Sequence, residues 1–388
     1  MSTYRKCRYG TGDRRQDRGA VLGVVLIVLL IFSILGFQLL ELSGRDGVET
    51  ARAVGTTRAF WVAEAGLHHA RAMLLVSSAF RASPWTLTGG GLNYSAATEI
   101  NPDGTYTVTS AGTAQTLTRT VQQVIEVRET LPLAFDYILF GGSGDMTIRK
   151  EAVINGDVFQ NGDITFADAT VTGTVYATGT VSGHERTDPG NPPPAMPELD
   201  TSYYDALIAY ARTNGGASLT YPLNLGGATL YVRGNEAVGD LTGPGTLVIS
   251  EDASIGKELS IGHNVQVISG GTFSIAKNLQ GGSNALLYAA TGFNIAKSAD
   301  VSIGNCILIT PGDISASKNL SISGLMFASG SITMKKDATV VGCAVAGQGF
   351  TIFKAPRLTY DASQLPTTFP PGIPPETRLI DIIWRELL

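Results

Sequence analysis

The chain has 388 residues, of which 46 are glycine and 16% are charged, and its formal net charge is −5 at pH 7. This length leaves room for two or more domains, and abundant glycine with few charges predicts tight β-turns rather than disorder. A net acidic chain is a poor candidate for nucleic-acid binding, and three cysteines are too few for a secreted fold held by disulfides.

The first predicted element is an uncharged apolar run at residues 20–40, AVLGVVLIVLLIFSILGFQLL. As an α-helix it spans about 30 Å, the thickness of a bilayer's hydrocarbon core. Residues 1–19 hold six basic side chains and two acidic ones, so the positive-inside rule keeps this end in the cytoplasm. We therefore expect a single-pass protein of the bacterial inner membrane, with its bulk periplasmic or extracellular.

Three interpretations compete for this run. A cleaved secretory signal peptide is disfavoured because residues 38–43, QLLELS, lack a small-residue cleavage motif. A plain signal anchor fits the residues well. The third interpretation is a prepilin-type leader cut between Gly19 and Ala20, since Arg18 and Gly19 directly precede the apolar residues.

A second helical segment is predicted after a short break at residues 43–47, SGRDG. Its apolar stripe has the three- and four-residue spacing of an amphipathic helix and comprises Phe60, Ala63, Leu67, Ala70 and Leu74. The sequence thus predicts a spanning helix followed by an amphipathic one.

The leader RGAVLGVVLIVLL and the segment AFWVAEAGL at residues 59–67 resemble the PilX-type minor pilins of type IV pilus systems. The resemblance covers about residues 15–130. It implies cleavage after Gly19 by a prepilin peptidase, and packing of the long helix against other pilin-like subunits. Most major pilins have glutamate at the fifth mature position, which is Val24 here. We therefore expect a tip or initiating position rather than the repeating shaft.

Alternating polar and apolar residues predict a mainly β structure for the remaining chain. Residues 105–110 and 117–127 should form an antiparallel hairpin with a turn at 111–115. Residues 155–164 then repeat at 172–181, and related strands recur from about residue 219. Repeats this short must stack, which predicts a right-handed, three-faced parallel β-solenoid resembling the β-helices of bactofilins. We take as equivalent Ile249, Ile268, Tyr288, Ile309, Phe327 and Val345.

The repeats are interrupted by a proline-rich linker at 188–197 and a predicted helix at 200–212, capped by Asp200 or Ser202. Residues 378–388 should form a strand or short helix that caps the last coil or returns to the N-terminal domain. The predicted organisation is leader 1–19, helix 20–80, small β region 81–130, first coils 131–186, linker and helix 187–218, main solenoid 219–354, and proline-rich tail with C-terminal cap 355–388.

Two sets of residues are predicted to occupy equivalent positions in different coils. Six lysines form a predicted ladder that is either a solvated edge or a basic stripe that binds an anionic surface polysaccharide, an acidic neighbouring subunit or a tip adhesin: Lys257, Lys277, Lys297, Lys318, Lys335 and Lys354. Cys306 and Cys343 should occupy the same position two coils apart, about 9.6 Å from each other. Because this exceeds the reach of a disulfide, we expect unpaired, buried thiols.

No motif predicts catalysis, a metal site or a cofactor. The acidic residues mostly neighbour glycine in turns, and the four histidines are scattered. We expect a non-enzymatic assembly subunit of a type IV pilus-like system that displays a solenoid. The alternatives are a membrane-anchored surface β-helix protein for adhesion or scaffolding and, more remotely, a polysaccharide-acting β-helix enzyme.

Overall fold

The structure is a computed structural model that describes residues 17–76, 87–89, 92–189, 193–296, 301–366 and 369–387. The chain forms two compact units. The helix–sheet unit comprises Met1–Arg128 and Thr377–Leu388, and the solenoid unit comprises Glu129–Glu376. In chain order, the solenoid unit is therefore an insertion between two strands of the helix–sheet unit.

The helix–sheet unit begins with one continuous helix, α1 (Asp17–Val76). The predicted break at 43–47 is wrong, because α1 runs through both glycines. A glycine inside a helix costs only about 1 kcal/mol relative to alanine, and Arg45 and Glu41 form an ion pair of 2.8 Å one turn apart. The spanning and amphipathic segments are thus two halves of the same helix.

Five strands form the sheet of this unit: β1 (Leu87–Gly89), β2 (Leu92–Ile100), β3 (Tyr106–Ala114), β4 (Leu117–Thr130) and the C-terminal strand (Glu376–Leu387). They lie in that order across the sheet. The predicted hairpin is confirmed as β3 and β4, but its turn is limited to residues 115–116, because residues 111–114 belong to β3. The C-terminal residues form a strand in this sheet, so the predicted return to the N-terminal domain is confirmed and the alternative, a cap on the last coil, is wrong.

The core of the helix–sheet unit forms between α1 and the sheet. Ala63, Leu67, Ala70 and Leu74 of the predicted stripe are buried there, whereas Phe60 is only partly buried. They pack on the inward side chains of the strands, which include Val108, Val121 and Ile125. Every second residue of β3 is buried, and this face of the strand packs against the buried stripe of α1, whose residues have helical spacing.

The solenoid unit contains 3₁₀ helices Leu133–Asp136 and Ala362–Gln364, one α-helix, and short strands that are mostly three to five residues long. The strands before the α-helix are β5 (Leu139–Gly141), β6 (Met146–Ile148), β7 (Ala152–Asn155), β8 (Val158–Gln160), β9 (Ile164–Phe166), β10 (Ala169–Val171), β11 (Val175–Ala177) and β12 (Val181–Ser182).

The α-helix, α2 (Ser202–Asn214), separates these strands from a second and longer set. That set is β13 (Leu223–Asn224), β14 (Thr229–Val232), β15 (Glu236–Ala237), β16 (Leu241–Thr242), β17 (Gly245–Ile249), β18 (Ala253–Ile255), β19 (Leu259–Ile261), β20 (Val265–Ser269), β21 (Thr272–Ile275), β22 (Leu279–Ser283), β23 (Leu286–Ala289), β24 (Gly292–Ile295), β25 (Val301–Gly304), β26 (Cys306–Thr310), β27 (Asp313–Ala316), β28 (Ser321–Ala328), β29 (Ser331–Lys336), β30 (Thr339–Ala346), β31 (Gly349–Lys354) and β32 (Arg357–Tyr360).

Parallel pairing arranges the strands into three faces, as expected for a three-faced solenoid. Among the described strands, face 1 runs β11-β8-β5-β30-β28-β26-β23-β20-β17-β14; face 2 runs β12-β9-β6-β31-β29-β27-β24-β21-β18-β15; face 3 includes β13-β16-β19-β22-β25. The first half of β30 also pairs with β32, which is followed by β7 and β10. Successive coils stack about 4.8 Å apart. Inward residues such as Val267, Phe273 and Leu279 fill one continuous apolar core. The handedness stays a prediction.

The two sets of coils form one stack, although α2 and the linker separate them in sequence. β5, β6 and β7 pair with β30, β31 and β32, so the first coil of the chain lies on the last. Ala344 pairs with Leu139, and Ile352 pairs with Ile148. The spacing of 17 predicted for the first set is confirmed by the pairing of Ala152 with Ala169.

Helix α2 covers the outer side of face 1 rather than a strand edge. Tyr204, Ile208 and Ala211 are buried, and Leu207 is partly buried. The rings of Tyr204 and Tyr288 stack with centroids 3.7 Å apart. The cap differs slightly from the prediction: the N-cap residue is Thr201, and Asp200 accepts a hydrogen bond from the Ser202 amide at 2.9 Å.

Candidate functional site

The N-terminal half of α1 carries a continuous apolar surface that the helix–sheet unit leaves exposed. Phe37 and Leu40 are 70% and 75% exposed. Within the described residues, α1 is the one helix that meets the length and composition required to cross a bilayer. Val24 lies on this surface and supplies no charge. The backbone of Gly19 and Ala20 is in the first turns of α1, and cleavage between them stays a prediction.

The C-terminal half of α1 approaches the sheet so closely that only small residues fit. A side chain at Gly112 of β3 would collide with the backbone nitrogen of Ala63 and the carbonyl oxygen of Ala59. A side chain at Gly66 would collide with Tyr94 and Ser110. Ala59, Ala63 and Gly66 of the AFWVAEAGL segment are therefore required by packing of the helix on the sheet.

Five aspartates of the solenoid unit serve as links between coils. Each of these five aspartates accepts a hydrogen bond from a backbone amide one coil away: Asp157 from Thr174, Asp163 from Thr180, Asp240 from Ser260, Asp252 from Thr272 and Asp313 from Ser331. The Thr180 amide holds the pKa of Asp163 below its usual value. Across the described part of the chain, no group of three or more His, Cys, Asp and Glu side chains could hold a metal ion.

The two cysteines are both free and buried, but their predicted alignment is wrong. Cys306 pairs with Gly324, which pairs with Gly342, so Cys343 is displaced by one residue. A shift of one residue moves a side chain to the opposite side of the sheet. Cys306 accordingly lies in the solenoid interior, and Cys343 lies on the outer side of face 1 under Ala134.

The same kind of displacement affects the equivalent apolar residues. Ile268, Tyr288, Ile309, Phe327 and Val345 align as predicted. The predicted alignment of Ile249 is wrong, because Val248 pairs with Ile268. These aligned residues point outward from face 1, where α2 and the proline-rich tail bury them. Both sides of face 1 are thus apolar.

The lysine ladder exists at the corner that follows face 2, with one corrected member. Lys336 pairs with Lys354, so Lys335 belongs to the neighbouring row. The register places Lys257, Lys277 and Lys318 at the same corner, two residues after Ile255, Ile275 and Ala316. It also adds Lys150, which the sequence analysis missed, two residues after Ile148. Lys297 lies outside the described residues.

Face 2 also carries a row of small polar side chains that was not predicted. Residues in consecutive register on nine neighbouring strands form this hydroxyl row: Ser254, Ser274, Asn294, Ser315, Thr333, Thr351, Thr147, Thr165 and Ser182. All are exposed or partly exposed. The period-two pattern could have located each residue, but only the register aligns them across the junction of the two sets of coils.

Comparisons with known proteins give structural likenesses alone. No protein-family model matches the sequence, and no curated protein matches it. Among solved structures, the competence-associated pilin ComZ from Thermus thermophilus is similar at 13% identity with a TM-score of 0.31, covering 86% of this chain and 97% of that one.

Two further solved structures are ice-binding proteins. The DUF3494 domain of Shewanella frigidimarina ice-binding protein 1 has 18% identity and a TM-score of 0.31, over 60% of this chain and 99% of that one. An ice-binding protein from an Antarctic biological consortium has 15% identity and a TM-score of 0.25, over 60% and 90%. TM-scores below 0.5 do not establish a shared fold, so we draw nothing about function from these likenesses.

Proposed function

We propose that this chain is a minor-pilin-like subunit of a type IV pilus-like system and displays its solenoid outside the cell. The observation that carries the proposal is α1 itself. Its first half is apolar and exposed, and its second half packs on a small antiparallel sheet. A helix of this kind is stable in a bilayer and equally stable against other apolar helices, because both surroundings cover the same side chains.

The proposed mechanism is assembly without catalysis. The apolar half of α1 stores the subunit in the inner membrane and then enters a bundle of like helices. Val24 brings no charge into that bundle, where an unpaired charge would be costly. The solenoid unit adds a rigid module, and its five coil-linking aspartates have structural roles. The partners of this proposal are other pilin-like subunits, a prepilin peptidase and the membrane.

The test is the mature N-terminus of the full chain expressed with an active prepilin peptidase. We expect mass spectrometry to find Ala20 as the first residue. The variant Gly19→Val should retain residues 1–19, whereas the control Gly23→Ala, where no atom lies within 4 Å of an added methyl, should be cut normally. An uncut wild-type chain would favour the alternative of a membrane-anchored surface β-helix protein.

Polymerisation of the solenoid, as in the bactofilin resemblance, has less support. Strands at the ends of a stack recruit other chains when their backbone groups are unpaired. Here Tyr176 in β11 bridges to Thr187, and Val232 in β14 bridges to Gly216. These segments cover the end strands of face 1 and oppose end-to-end addition of a second solenoid.

A second candidate function is adhesion to a crystalline surface such as ice, and the hydroxyl row favours it. A straight row repeating about every 4.8 Å on a regular sheet presents a periodic polar surface. We expect the replacement Thr333→Lys to abolish inhibition of ice recrystallisation if this function exists. The control Thr109→Lys changes the charge equally on the helix–sheet unit. Absence of inhibition by the wild-type chain would remove ice as the target.

A further inference from the structure

A dense basic patch lies on the solenoid unit where the two sets of coils meet. It comprises six cations and three acids: Arg149, Lys150, Lys318, Lys335, Lys336, Lys354, Glu151, Asp168 and Asp337. Its formal charge is therefore +3 (six minus three), whereas the whole chain has −5. The register brings β29, β31 and β6 side by side, which gathers residues from both sets of coils.

The repeat alone does not explain this patch. One lysine per coil accounts for the ladder, but the patch has a second basic column formed by Lys335 and Arg149. At the same position, the coils farther along face 2 have small residues, such as Gly256, Ala276 and Ser317. The second column is thus confined to the junction.

Most of the positive charge in the patch is not neutralised. Lys336 contacts Asp337 at 3.2 Å, and Lys354 contacts Glu151 at 3.8 Å, with all four side chains substantially exposed. Ion pairs this exposed contribute little to stability. Cations on neighbouring coils repel one another, and the repulsion is reduced by salt or by a bound anion. A ligand with regularly spaced anionic groups would relieve it along several coils together.

The neighbouring side chains indicate which anion fits. Thr333 and Thr147 of the hydroxyl row lie two residues before Lys335 and Arg149 of the second basic column. Thr351 lies two residues before Phe353, which separates these two cations in the register. The patch therefore offers hydroxyls beside cations. The guanidinium of Arg149 lies over the Phe353 ring at 5.1 Å from its centroid, so one face of this ring is covered. Single-stranded nucleic acids are bound by open aromatic rings on which bases stack.

We propose that the basic patch binds an acidic polysaccharide, with cations holding its anionic groups and threonines bonding its hydroxyls. The site lies within the solenoid unit, and its binding does not require cleavage at Gly19 or filament assembly. The proposal therefore stands or falls separately from the pilin-like role.

The test measures binding of the full chain, solubilised in detergent, to polygalacturonate, neutral dextran and a single-stranded oligonucleotide. The patch variant is Lys150→Gln with Lys336→Gln. The matched control is Lys257→Gln with Lys277→Gln, which removes the same charge from the same ladder outside the patch. Exposed charges tolerate such changes without unfolding, and circular dichroism verifies this for both variants.

We expect polygalacturonate to bind, with affinity falling as salt rises, and dextran not to bind. The patch variant should weaken binding about tenfold, and the control less than about twofold, because a tenfold loss corresponds to about 1.4 kcal/mol, the expected sum for two exposed charge contacts. Equal weakening by both variants would overturn the proposal in favour of net charge alone. Tighter binding of the oligonucleotide than of polygalacturonate would overturn it in favour of a nucleic-acid partner.

Discussion

The two units of this chain bury their apolar residues in different ways. In the helix–sheet unit, one long helix meets one sheet, and the close approach at Gly66 and Gly112 leaves no space for a side chain. In the solenoid unit, each coil meets only its neighbours, and similar contacts recur along the stack. The first unit depends on a few irreplaceable positions, whereas the second distributes its stability over many similar ones.

The comparison also concerns how far a perturbation spreads. The stability of a stacked repeat is approximately a sum of the coils and their nearest-neighbour contacts, so damage to one coil should remain local. A helix packed on a sheet has a single shared core, and damage there should affect the whole unit. Four predictions test this difference, beginning with the largest expected effect.

Replacing Phe273 with alanine should cost about 3–5 kcal/mol, the usual loss for a buried phenylalanine. Its ring is fully buried and stacks on Phe293 with centroids 5.5 Å apart. Hydrogen exchange of the full chain should accelerate in β18, β21 and β24. The control Ser274→Ala, at the neighbouring outward position, should change little. Equal acceleration at β6 and β9, far along the stack, would contradict local damage.

Replacing Gly112 with alanine should destabilise the helix–sheet unit by about 1–3 kcal/mol, since an added methyl in a full contact forces the backbones apart. Exchange should accelerate along the whole of β2, β3 and β4. The matched control Gly44→Ala lies in α1 with no atom within 4 Å of the added methyl, and should be neutral or slightly stabilising. If Gly112→Ala behaved like the control, the close contact would not limit this unit.

The coil link at Asp163 should show a pH dependence with a defined sign. Because the Thr180 amide, which donates at 2.6 Å, lowers the pKa of Asp163 in the folded protein, the carboxylate's contribution is complete above the unfolded pKa of about 3.9. It is lost as pH falls through the lower folded pKa. The Thr180 amide shift should therefore titrate below the normal aspartate range. The variant Asp163→Asn should abolish this titration. A titration midpoint within the normal aspartate range in the wild type would contradict the proposed hydrogen bond between coils.

The smallest expected effect concerns the cysteines. Burial raises the pKa of the Cys306 thiol to about 12 and that of Cys343 as well, so neither forms the reactive thiolate near neutral pH. We expect no labelling by a thiol reagent in the native protein. After denaturation without reductant, two thiols should react in a chain that starts at Ala20, and three in a chain that retains Cys7. Fewer would indicate a disulfide.

The sequence predicted the helix–sheet unit and the solenoid unit to different depths. The stripe along α1 was largely correct, because helical spacing is a local property. The turn predicted at 111–115 was too long because Gly112 looked like a turn residue. Glycine is required at this position because the backbone of α1 passes directly over β3. A glycine required by tertiary packing and a glycine required by a turn look the same in a sequence.

The candidate sites show the same contrast between local spacing, which the sequence predicts, and tertiary contacts, which it does not. Lysines at a regular spacing predicted a ladder, but Lys335 and Lys336 are adjacent, and only strand pairing decides which one aligns with Lys354. The predicted alignment of the two cysteines was wrong for the same reason. A displacement of one residue is invisible in the spacing of a repeat, yet it moves the side chain to the opposite side of a sheet.

The sequence by itself determined the apolar helix, the mainly β character of the rest and the stacking of short strands, because each depends on the periodicity of neighbouring residues. Only the tertiary structure decided that the C-terminal strand joins the sheet of α1, and that β5 lies on β30. These contacts join residues that are distant in the chain. An alternating pattern specifies which side of a strand is buried, whereas the identity of the neighbouring strand depends on which arrangement buries the most apolar surface at once.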